Sequence, residues 1–317
     1  MAQPCVVAAP LAGRWHAREE AIMGTAIRAE LWSDDADAAR AAIDAVMAEM
    51  HRIDRAMSPH KADSELSRIN RDAGRGAVPL SEEMTTLLAR AAAFSALTQG
   101  AFDITYAAAG QLYDYRARVR PDTDALAQAQ AAVGWRHLEL DARAATVRFH
   151  KPGMRIDLGG FAKGHAVDNA AALLERRGIL HAMVSAGGDS RVVGDRRGRP
   201  WMIGVRHPRK GEKEVVAMLP LEDASISTSG DYERCFDEGG TRFHHLIDPA
   251  TGRSPQGVHS VTVIADDGLT SEALSKAVFV LGAERGLALV ETQRGVDAVV
   301  VDAAGALHFS SGLASPT

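Results

Sequence analysis

The stretch of this 317-residue chain best suited to bind an anion is residues 157–168, which read DLGGFAKGHAVD. It leaves a short apolar run and enters an alanine-rich helical pattern, which places Gly159, Gly160 and Gly164 on a strand-to-helix turn. Backbone N–H groups at a helix start favour phosphate, and Lys163 adds a positive charge. Glycine-rich turns also arise where backbone geometry alone requires them, so both interpretations stay open for this stretch taken alone.

Four further motifs follow in the chain. They read AGGD at residues 186–189, SGDYER at 229–234, HHLIDPATG at 244–252 and SEALSKA at 271–277. In this order, the five motifs resemble those of the ApbE-type flavin transferases, the FAD:protein FMN transferases, over roughly residues 23–282. The last motif departs from the family pattern ADALSTA, because Glu272 stands in place of the Asp and Lys276 in place of the Thr.

The resemblance implies a function and a fold. The function is an Mg²⁺-dependent transfer of FMN from FAD, through a phosphoester, to a Thr or Ser of an acceptor flavoprotein, with release of AMP. The fold is α+β, with two intimately packed α+β halves and the flavin nucleotide site between them. The alternative is a family member that binds FAD but has a degenerate metal site and no transferase activity. Glu272 and Lys276 are the residues that distinguish these two hypotheses.

The resemblance also implies which residues bind FAD. They are Met23, Ala101, Phe102, Asp103, Asp157 and Lys163. Without the family, Met23 reads as a buried strand residue, and Asp103 and Asp157 read as cap or turn carboxylates. His60 stands where relatives usually have a Tyr that stacks on the flavin; an imidazole offers less area for stacking, and a surface histidine is the alternative.

His245 is the predicted catalytic base. Transfer of FMN to a protein hydroxyl requires a group that removes the hydroxyl proton, and imidazole has a suitable pKa near neutral pH. Adjacent residues of a strand point to opposite faces, so only one of His244 and His245 is expected to face the ligand. The alternative is that both histidines serve packing.

The metal site is the doubtful part of the pattern. The resemblance implies that Mg²⁺ is held by a backbone carbonyl near Gly160, by the carboxylate of Glu272, and by the end of the last motif at Ser275 and Lys276. Glu272 is an oxygen donor one methylene longer than Asp. Lys276 has no lone pair to offer, and its ammonium can pair with Glu272 one helical turn away. Mg²⁺ binding is therefore predicted to be weak or absent.

Composition and charge set the outer limits of function. The chain is 46% hydrophobic and 24% charged, which is typical of a globular protein, and its net charge of −5 argues against nucleic acid as a partner. Cys5 and Cys235 are too few for a disulfide framework or a cysteine metal site. No apolar run reaches membrane-spanning length, and residues 1–10 make a poor signal peptide. A cytoplasmic protein is predicted, or a periplasmic one if a leader has been removed.

Hydrophobic periodicity predicts the elements that position these residues. A tail is predicted over 1–14 and one domain over 15–317. One predicted helix begins after Ser33 and ends at residue 57, and another begins near Asp63. Two more begin after Ser81 and after Pro121. The last three are predicted over 166–177, 270–281 and 284–292. Predicted strands cover 25–32, 180–185, 201–206, 215–219, 225–229 and 258–265, with hairpins of 138–140 with 146–149, 232–236 with 241–247, and 296–301 with 306–309. Hairpins dominate the second half, which favours α+β over doubly wound α/β.

Overall fold

The computed structural model describes residues 13–211 and 214–313. The predicted tail at 1–14 and Cys5 lie almost wholly outside these ranges, and Cys235 has no disulfide partner within them. The strands are β1 Arg14–Ile22, β2 Thr25–Ser33, β3 Val78–Pro79, β4 Leu138–Asp141, β5 Thr146–Phe149, β6 Ala182–Ala186, β7 Asp189–Val193, β8 Trp201–Arg206, β9 Val215–Leu221, β10 Ser225–Gly230, β11 Cys235–Glu238, β12 Thr241–His244, β13 Val258–Ala265, β14 Asp297–Asp302 and β15 Leu307–Phe309.

The helices alternate with these strands only in places. They are α1 Ala36–Met57, α2 Glu65–Asp72, α3 Glu82–Leu97, α4 Ala107–Gly110, α5 Thr123–Ala131, α6 Ala162–Arg176 and α7 Gly268–Val290. Across residues 13–211 and 214–313, no helix combines the length and the apolar character that a bilayer span needs.

One antiparallel sheet of eight strands organises the fold, in the order β1-β2-β6-β7-β10-β13-β14-β15. On one face α1 packs against β1 and β2, α6 against β6 and β7, and α7 against β10 and β13. The β8–β9 hairpin forms a second hydrophobic cluster with Val192, Ile226 and Val299 of the sheet. The predicted α+β class is confirmed, and α6, α7 and the strands between them carry the motifs.

The predicted helix starts follow from capping side chains. Asp35 accepts the N–H groups of Asp37 and Ala38 at 2.9 and 3.0 Å and begins α1. Ser81 accepts the N–H of Met84 at 3.1 Å and begins α3. The apolar face predicted for α1 is buried as expected from a 3.6-residue period.

The differences from the predicted elements have local causes. Helix α6 begins four residues earlier than predicted, because Gly164 is helical and packs closely against α7 rather than forming a turn. The two helices predicted at the end of the chain form one element, α7, interrupted at Gly282, which has a φ of +81°. Strands β1, β3 and β7 have no counterpart among the predicted elements. The β11–β12 hairpin is three residues shorter than predicted on each strand at its open end, and β11 runs two residues further toward the turn.

A network of partly buried ion pairs joins α1, α3 and α6. The Arg52 guanidinium lies 2.7 Å from Glu49 Oε1 and 2.6 Å from Glu83 Oε1, and His165 Nε2 lies 2.7 Å from the same Glu83 oxygen. The hydrogen bond from Arg52, followed by that from His165, overcomes the effect of burial and lowers the pKa of Glu83 from 4.5 to about 2. The ion pairs of Glu83 with Arg52 and His165 therefore stabilise the fold only while Glu83 is ionised.

We expect Glu83→Gln to lower the free energy of unfolding at pH 7 by about 1–3 kcal/mol, with allowance for solvent screening. Because the folded pKa of Glu83 is depressed, its contribution is complete above 4.5 and is lost as the pH falls toward 2. The difference in the free energy of unfolding between variant and parent, measured by urea unfolding, should therefore become smaller from pH 7 to pH 3.5. Glu82→Gln, a change at the exposed neighbour, is the control. A difference in unfolding free energy between Glu83→Gln and the parent that does not depend on pH would contradict the depressed pKa of Glu83.

Candidate functional site

Lys163, from the glycine-rich turn, is held by two buried carboxylates. Its Nζ lies 2.7 Å from Asp189 Oδ2 and 2.5 Å from Glu272 Oε1, and it donates a hydrogen bond to Gly159 O at 3.2 Å. The side chains of Asp189 and Glu272 are 4% and 0% exposed. Burial alone would lower the pKa of Lys163, but the two carboxylates outweigh it and raise the pKa. Lys163 is therefore a fixed cation.

Lys276 reaches the same carboxylates from the next turn of α7. Its Nζ lies 3.4 Å from Glu272 Oε1, 3.4 Å from Ser275 Oγ and 4.0 Å from Asp189 Oδ1. The second oxygen of Glu272 accepts the N–H of Gly164 at 2.7 Å, so both Glu272 oxygens have partners. Burial lowers the pKa of Lys276, against the opposing effect of the two carboxylates. Two ammonium groups and two carboxylates thus form one cluster, the lysine–carboxylate cluster.

Three serine hydroxyls extend this cluster toward β10. Ser227 Oγ donates to Asp189 Oδ1 at 2.5 Å and lies 3.1 Å from Ser275 Oγ. Ser229 Oγ lies 2.9 Å from Ser275 Oγ, which also donates to the backbone carbonyl of Glu272 at 2.9 Å. Alternate residues of β10 share one face of the strand, and this polar row therefore meets α7.

Close contact between α6 and α7 fixes where Glu272 lies. A Cβ on Gly164 would stand 2.2 Å from Gly268 O, and a Cβ on Gly268 would stand 2.4 Å from Gly164 O. The carboxylate of Asp168 accepts the N–H groups of Gly268 and Leu269 at 2.7 and 3.2 Å, at the start of α7. The backbones of the first turns of the two helices are therefore in contact. This contact places the Glu272 carboxylate within hydrogen-bonding distance of the Gly164 N–H.

His245 lies just after β12, beside the cluster. Its N–H donates to Arg234 O at 3.1 Å, and its ring Nδ1 is buried with no hydrogen-bond partner in the described residues. Burial first, and then the charges of His244, Arg234, Lys276 and Lys163, lower the pKa of His245 to about 3. The imidazole is therefore neutral, and its Nδ1, like the Nδ1 of His244, has no hydrogen-bond partner in the described residues.

His244, in contrast, is tied into the fold. Its ring is buried, its Nε2 lies 2.8 Å from Pro255 O, and the ring meets Phe279 edge to face at 5.5 Å. Ser254 Oγ accepts the His244 N–H at 2.9 Å. The geometry gives the packing role to His244 and leaves His245 as the candidate base, a role that stays a prediction.

Met23 occupies the turn between β1 and β2 and is not the buried strand residue that its surroundings in the sequence suggest. Its φ is +54°, in the left-handed region that side chains rarely adopt, and its side chain is half-buried. A Cβ on Gly24 would stand 3.6 Å from an Arg234 guanidinium nitrogen, and one on Gly187 would stand 2.7 Å from Thr25 Oγ1. The turn therefore packs against two of the five motifs, and strained positions of this kind cluster at functional sites.

Asp157 shapes the glycine-rich turn. Its Oδ1 accepts the N–H of Gly159 at 2.6 Å and the hydroxyl of Tyr106 at 3.2 Å. Burial, and then the charge of Asp157, raise the pKa of Tyr106 well above 10. As described, Asp157 is a turn carboxylate, and its contact with FAD stays a prediction.

The segment predicted to bind FAD at residues 101–103 is mostly engaged within the protein. Phe102 is buried and packs against other aromatic rings of the core. Asp103 accepts the N–H and hydroxyl of Thr105 at 2.8 and 2.7 Å and the N–H of Trp135 at 2.9 Å. Burial raises its pKa against these hydrogen bonds. Asp103 therefore acts as a cap here, and Ala101 is the half-buried residue of the segment.

His60 does not interact with the lysine–carboxylate cluster. It is exposed in the loop between α1 and α2, where its N–H donates to Ser58 Oγ at 3.3 Å. In the described part of the chain, no hydrogen bond or ion pair joins its ring to the other site residues. Stacking on the flavin stays a prediction for His60.

The residues of the predicted metal site come together, but an ammonium lies among them. The Lys276 stem runs past Gly160, where an added Cβ would stand 3.4 Å from Lys276 Cε. Glu272 already accepts from two ammonium groups and from the Gly164 N–H, and Ser275 hydrogen-bonds to protein groups. Within residues 13–211 and 214–313, no group of three or more His, Cys, Asp or Glu side chains is arranged to hold a metal ion. The residues present do not fit Mg²⁺.

Several members of the site are not among the predicted site residues. Asp189 lies in the AGGD motif, Ser227 and Ser229 lie on β10, and Tyr106 contacts Asp157. The row of serines at alternate positions in the strand pattern is a signal that predicts a polar face. Tyr106 carries no such signal, because its partner is 51 residues away in the sequence.

Comparison with known proteins matches the chain to the ApbE family over residues 23–300. An FAD:protein FMN transferase from Treponema pallidum (strain Nichols) is 32% identical over 319 residues, which cover 95% of this chain and 88% of that protein. One from Haemophilus influenzae is 36% identical over 245 residues, covering 74% of this chain and 71% of that protein.

Solved structures are similar over nearly the whole chain. The ApbE protein from Thermotoga maritima superposes with a TM-score of 0.87 at 33% identity, covering 94% of this chain and 98% of that one. The flavin transferase ApbE from Vibrio cholerae gives a TM-score of 0.84 at 28% identity, with the same coverage. The likeness therefore includes both the sheet and the helices that carry the motifs.

Proposed function

Because this chain belongs to the ApbE family, we propose that it is an FAD:protein FMN transferase, which moves FMN from FAD to a Thr or Ser of an acceptor flavoprotein and releases AMP. The observation that carries the proposal is the neutral imidazole of His245 beside two lysines at the glycine-rich turn. The arrangement puts a proton acceptor next to positive charge, which phosphoryl transfer requires.

The turn at the start of α6 is the proposed pyrophosphate site. The positive end of a helix dipole and the two ammonium groups favour an anion there. Met23 and Asp157 lie on turns that pack around the same region and are proposed to bind FAD with Lys163. For residues 101–103, backbone contact is proposed, because the side chains of Phe102 and Asp103 are engaged inside the protein.

In the transfer step, the acceptor hydroxyl oxygen attacks the phosphorus on the FMN side of the pyrophosphate. The new P–O bond forms as the bond to the bridging oxygen breaks, and AMP leaves with that oxygen and its electron pair. His245 takes the hydroxyl proton. Lys163 and Lys276 stabilise the charge on the phosphoryl oxygens. No step is assigned to Mg²⁺, because the residues at its predicted position do not fit the ion.

The experiment is an assay of FAD turnover with an acceptor flavoprotein domain that carries a modifiable threonine. We expect AMP release together with an increase in the intact mass of the domain by one FMN phosphoester. The same domain with that threonine changed to valine is the control. Bound FAD without AMP and without a mass change would favour the alternative, an FAD-binding protein that has no transferase activity. The natural acceptor must be in the same compartment as this protein. That this compartment is the cytoplasm stays a prediction from the sequence.

We expect FAD to bind at least about tenfold more tightly than riboflavin, since riboflavin lacks the pyrophosphate that the two ammonium groups and the helix start are proposed to bind. Calorimetric titration of each ligand into the purified protein measures the difference. FMN is the informative third ligand, because it has one phosphate and no adenosine. Equal affinity for FAD and riboflavin would mean that recognition lies on the flavin ring and would contradict the proposed pyrophosphate site.

A further inference from the structure

We propose that the ammonium of Lys276 is the built-in cation of this site and that the protein turns FAD over without a divalent metal ion. The inference rests on the proposed function and goes beyond it, because it names the source of the positive charge that acts on the transferring phosphoryl group. It starts from the disagreement between the residues present and an Mg²⁺ site.

The charge balance of the cluster argues against a divalent ion. Asp189 and Glu272 carry two negative charges, and Lys163 and Lys276 carry two positive ones, within contacts of 2.5–4.0 Å. Cation sites for Mg²⁺ rely on carboxylates that are free to bind the ion and on net negative charge. Here the cluster is neutral, and both Glu272 oxygens already accept hydrogen bonds.

The two lysines are not equivalent. Lys163 makes the short contacts to both carboxylates, at 2.5 and 2.7 Å, whereas Lys276 stands at 3.4 and 4.0 Å from them. Charge held at short range by a buried carboxylate is largely neutralised, so the charge of Lys276 is the less neutralised of the two. The exposed fractions of the two side chains are similar, 18% for Lys276 and 22% for Lys163, so the distances to the carboxylates are what distinguishes the two lysines. Lys163 is thus the closer partner of the two carboxylates, and Lys276 is the ammonium that is more available to phosphate.

An ammonium in this position can do part of what a metal ion does. A fixed positive charge in a site with little water stabilises negative charge as it develops on the phosphoryl oxygens. It needs no ion from solution and keeps the same position before and after the transfer. The protein therefore carries in its own sequence the charge that an Mg²⁺-dependent enzyme takes from its surroundings.

The first test measures FAD turnover, as AMP released, in EDTA and then with added Mg²⁺. We expect rates that agree within about twofold, because the charge on the phosphoryl group comes from the protein. Loss of turnover in EDTA with recovery in Mg²⁺ would overturn the inference and leave the proposed function standing. Absence of turnover under both conditions would count against the proposed function, and the metal-binding measurement below then decides the inference.

The second test compares three substitutions of Lys276. Lys276→Met keeps the length of the side chain without charge or a ligand oxygen, and we expect turnover to fall about 100-fold with no recovery in Mg²⁺. The turnover of Lys276→Thr should fall similarly in EDTA but recover in Mg²⁺, because the substitution removes one of the two ammonium groups beside Glu272 and adds a hydroxyl oxygen. Lys276→Arg keeps the charge and should stay independent of Mg²⁺. Recovery of Lys276→Met in Mg²⁺, or unchanged turnover in this variant, would overturn the inference.

The third test measures binding of Mn²⁺, as a paramagnetic substitute for Mg²⁺, by electron paramagnetic resonance without any substrate. We expect the parent to bind Mn²⁺ at least about tenfold more weakly than Lys276→Thr, since the ammonium repels the ion. Thermal unfolding of each variant checks that it is folded. Micromolar binding of Mn²⁺ by the parent would overturn the inference whatever the turnover assay gives.

Discussion

Replacing His245 by alanine is expected to lower FAD turnover by about 10²–10⁴-fold while FAD still binds. A general base acts on the proton that moves in the transition state, so its loss lowers kcat and kcat/KM together and leaves ground-state binding nearly unchanged. The buried Nδ1 of His245 has no partner in the described residues, so its removal breaks no hydrogen bond of the ring. AMP release and calorimetric FAD binding, measured on the same preparation, separate the two effects.

The neighbouring histidine provides the matched control. His244→Ala removes a ring that contacts Pro255 O and Phe279, and we expect loss of thermal stability rather than a selective loss of turnover. Full turnover in His245→Ala with loss in a stably folded His244→Ala would mean that the base is His244.

The pH dependence gives His245 a second test. Its pKa of about 3 in the free protein means that the imidazole stays neutral throughout the range from pH 5 to 8. Because kcat/KM reports groups of the free enzyme, protonation of His245 should not reduce kcat/KM as the pH falls from 8 to 5. The pyrophosphate of FAD brings negative charge close to the ring and raises its pKa in the complex, which makes it a stronger base there. A fall of kcat/KM centred near pH 6.5 that disappears in His245→Ala would contradict the low pKa.

Replacing Gly164 by alanine is expected to lower the free energy of unfolding by about 3 kcal/mol or more, above the usual cost of overpacking. The added Cβ would stand 2.2 Å from the backbone oxygen of Gly268, and a backbone atom cannot move aside as a flexible side chain can. The helices must separate, and Glu272 then loses its hydrogen bond from the Gly164 N–H. We therefore expect turnover to fall even in variant protein that remains folded. Urea unfolding and the turnover assay measure the two effects.

Gly76→Ala is the control for this substitution. No heavy atom stands within 4 Å of a Cβ added at Gly76, and its φ lies outside the left-handed region. We expect a change in unfolding free energy within about 0.5 kcal/mol. Similar stability of the Gly164 and Gly76 variants would show that α6 and α7 can move apart at little cost, and that the glycine pair does not position Glu272.

The sequence predicts local features of this protein well. Ser81 and the aspartates before α1 indicate where helices begin. Period-two alternation indicates β2, and the pattern of a buried strand indicates β13. These signals depend on neighbours in the chain. The glycine-rich turn is also evident, but Gly164 reads as part of that turn, although it is a helical residue in contact with Gly268.

Long-range contacts are the part that sequence cannot supply. The ion pair of Lys163 with Glu272 joins residues 109 positions apart, and nothing local in the sequence requires it. The sequence predicts Asp103 as a cap or turn carboxylate, but its contact with Trp135 appears only in the structure. The same is true of Asp189, which holds Lys163. The pairing of Lys276 with Glu272 is predictable, because these two residues are one helical turn apart.

The neutral charge of the lysine–carboxylate cluster also bears on what happens after the reaction. A site with excess positive charge holds any phosphate strongly, including the AMP that is left when the flavin half has moved to the acceptor. Here Asp189 and Glu272 balance the charge of the two lysines, so the site holds a small anion less strongly than two unpaired lysines would. The whole dinucleotide gains contacts along its length, whereas AMP keeps only part of them. The balance of charge that we propose to oppose a metal ion thus also favours departure of the leaving group and readies the site for another FAD.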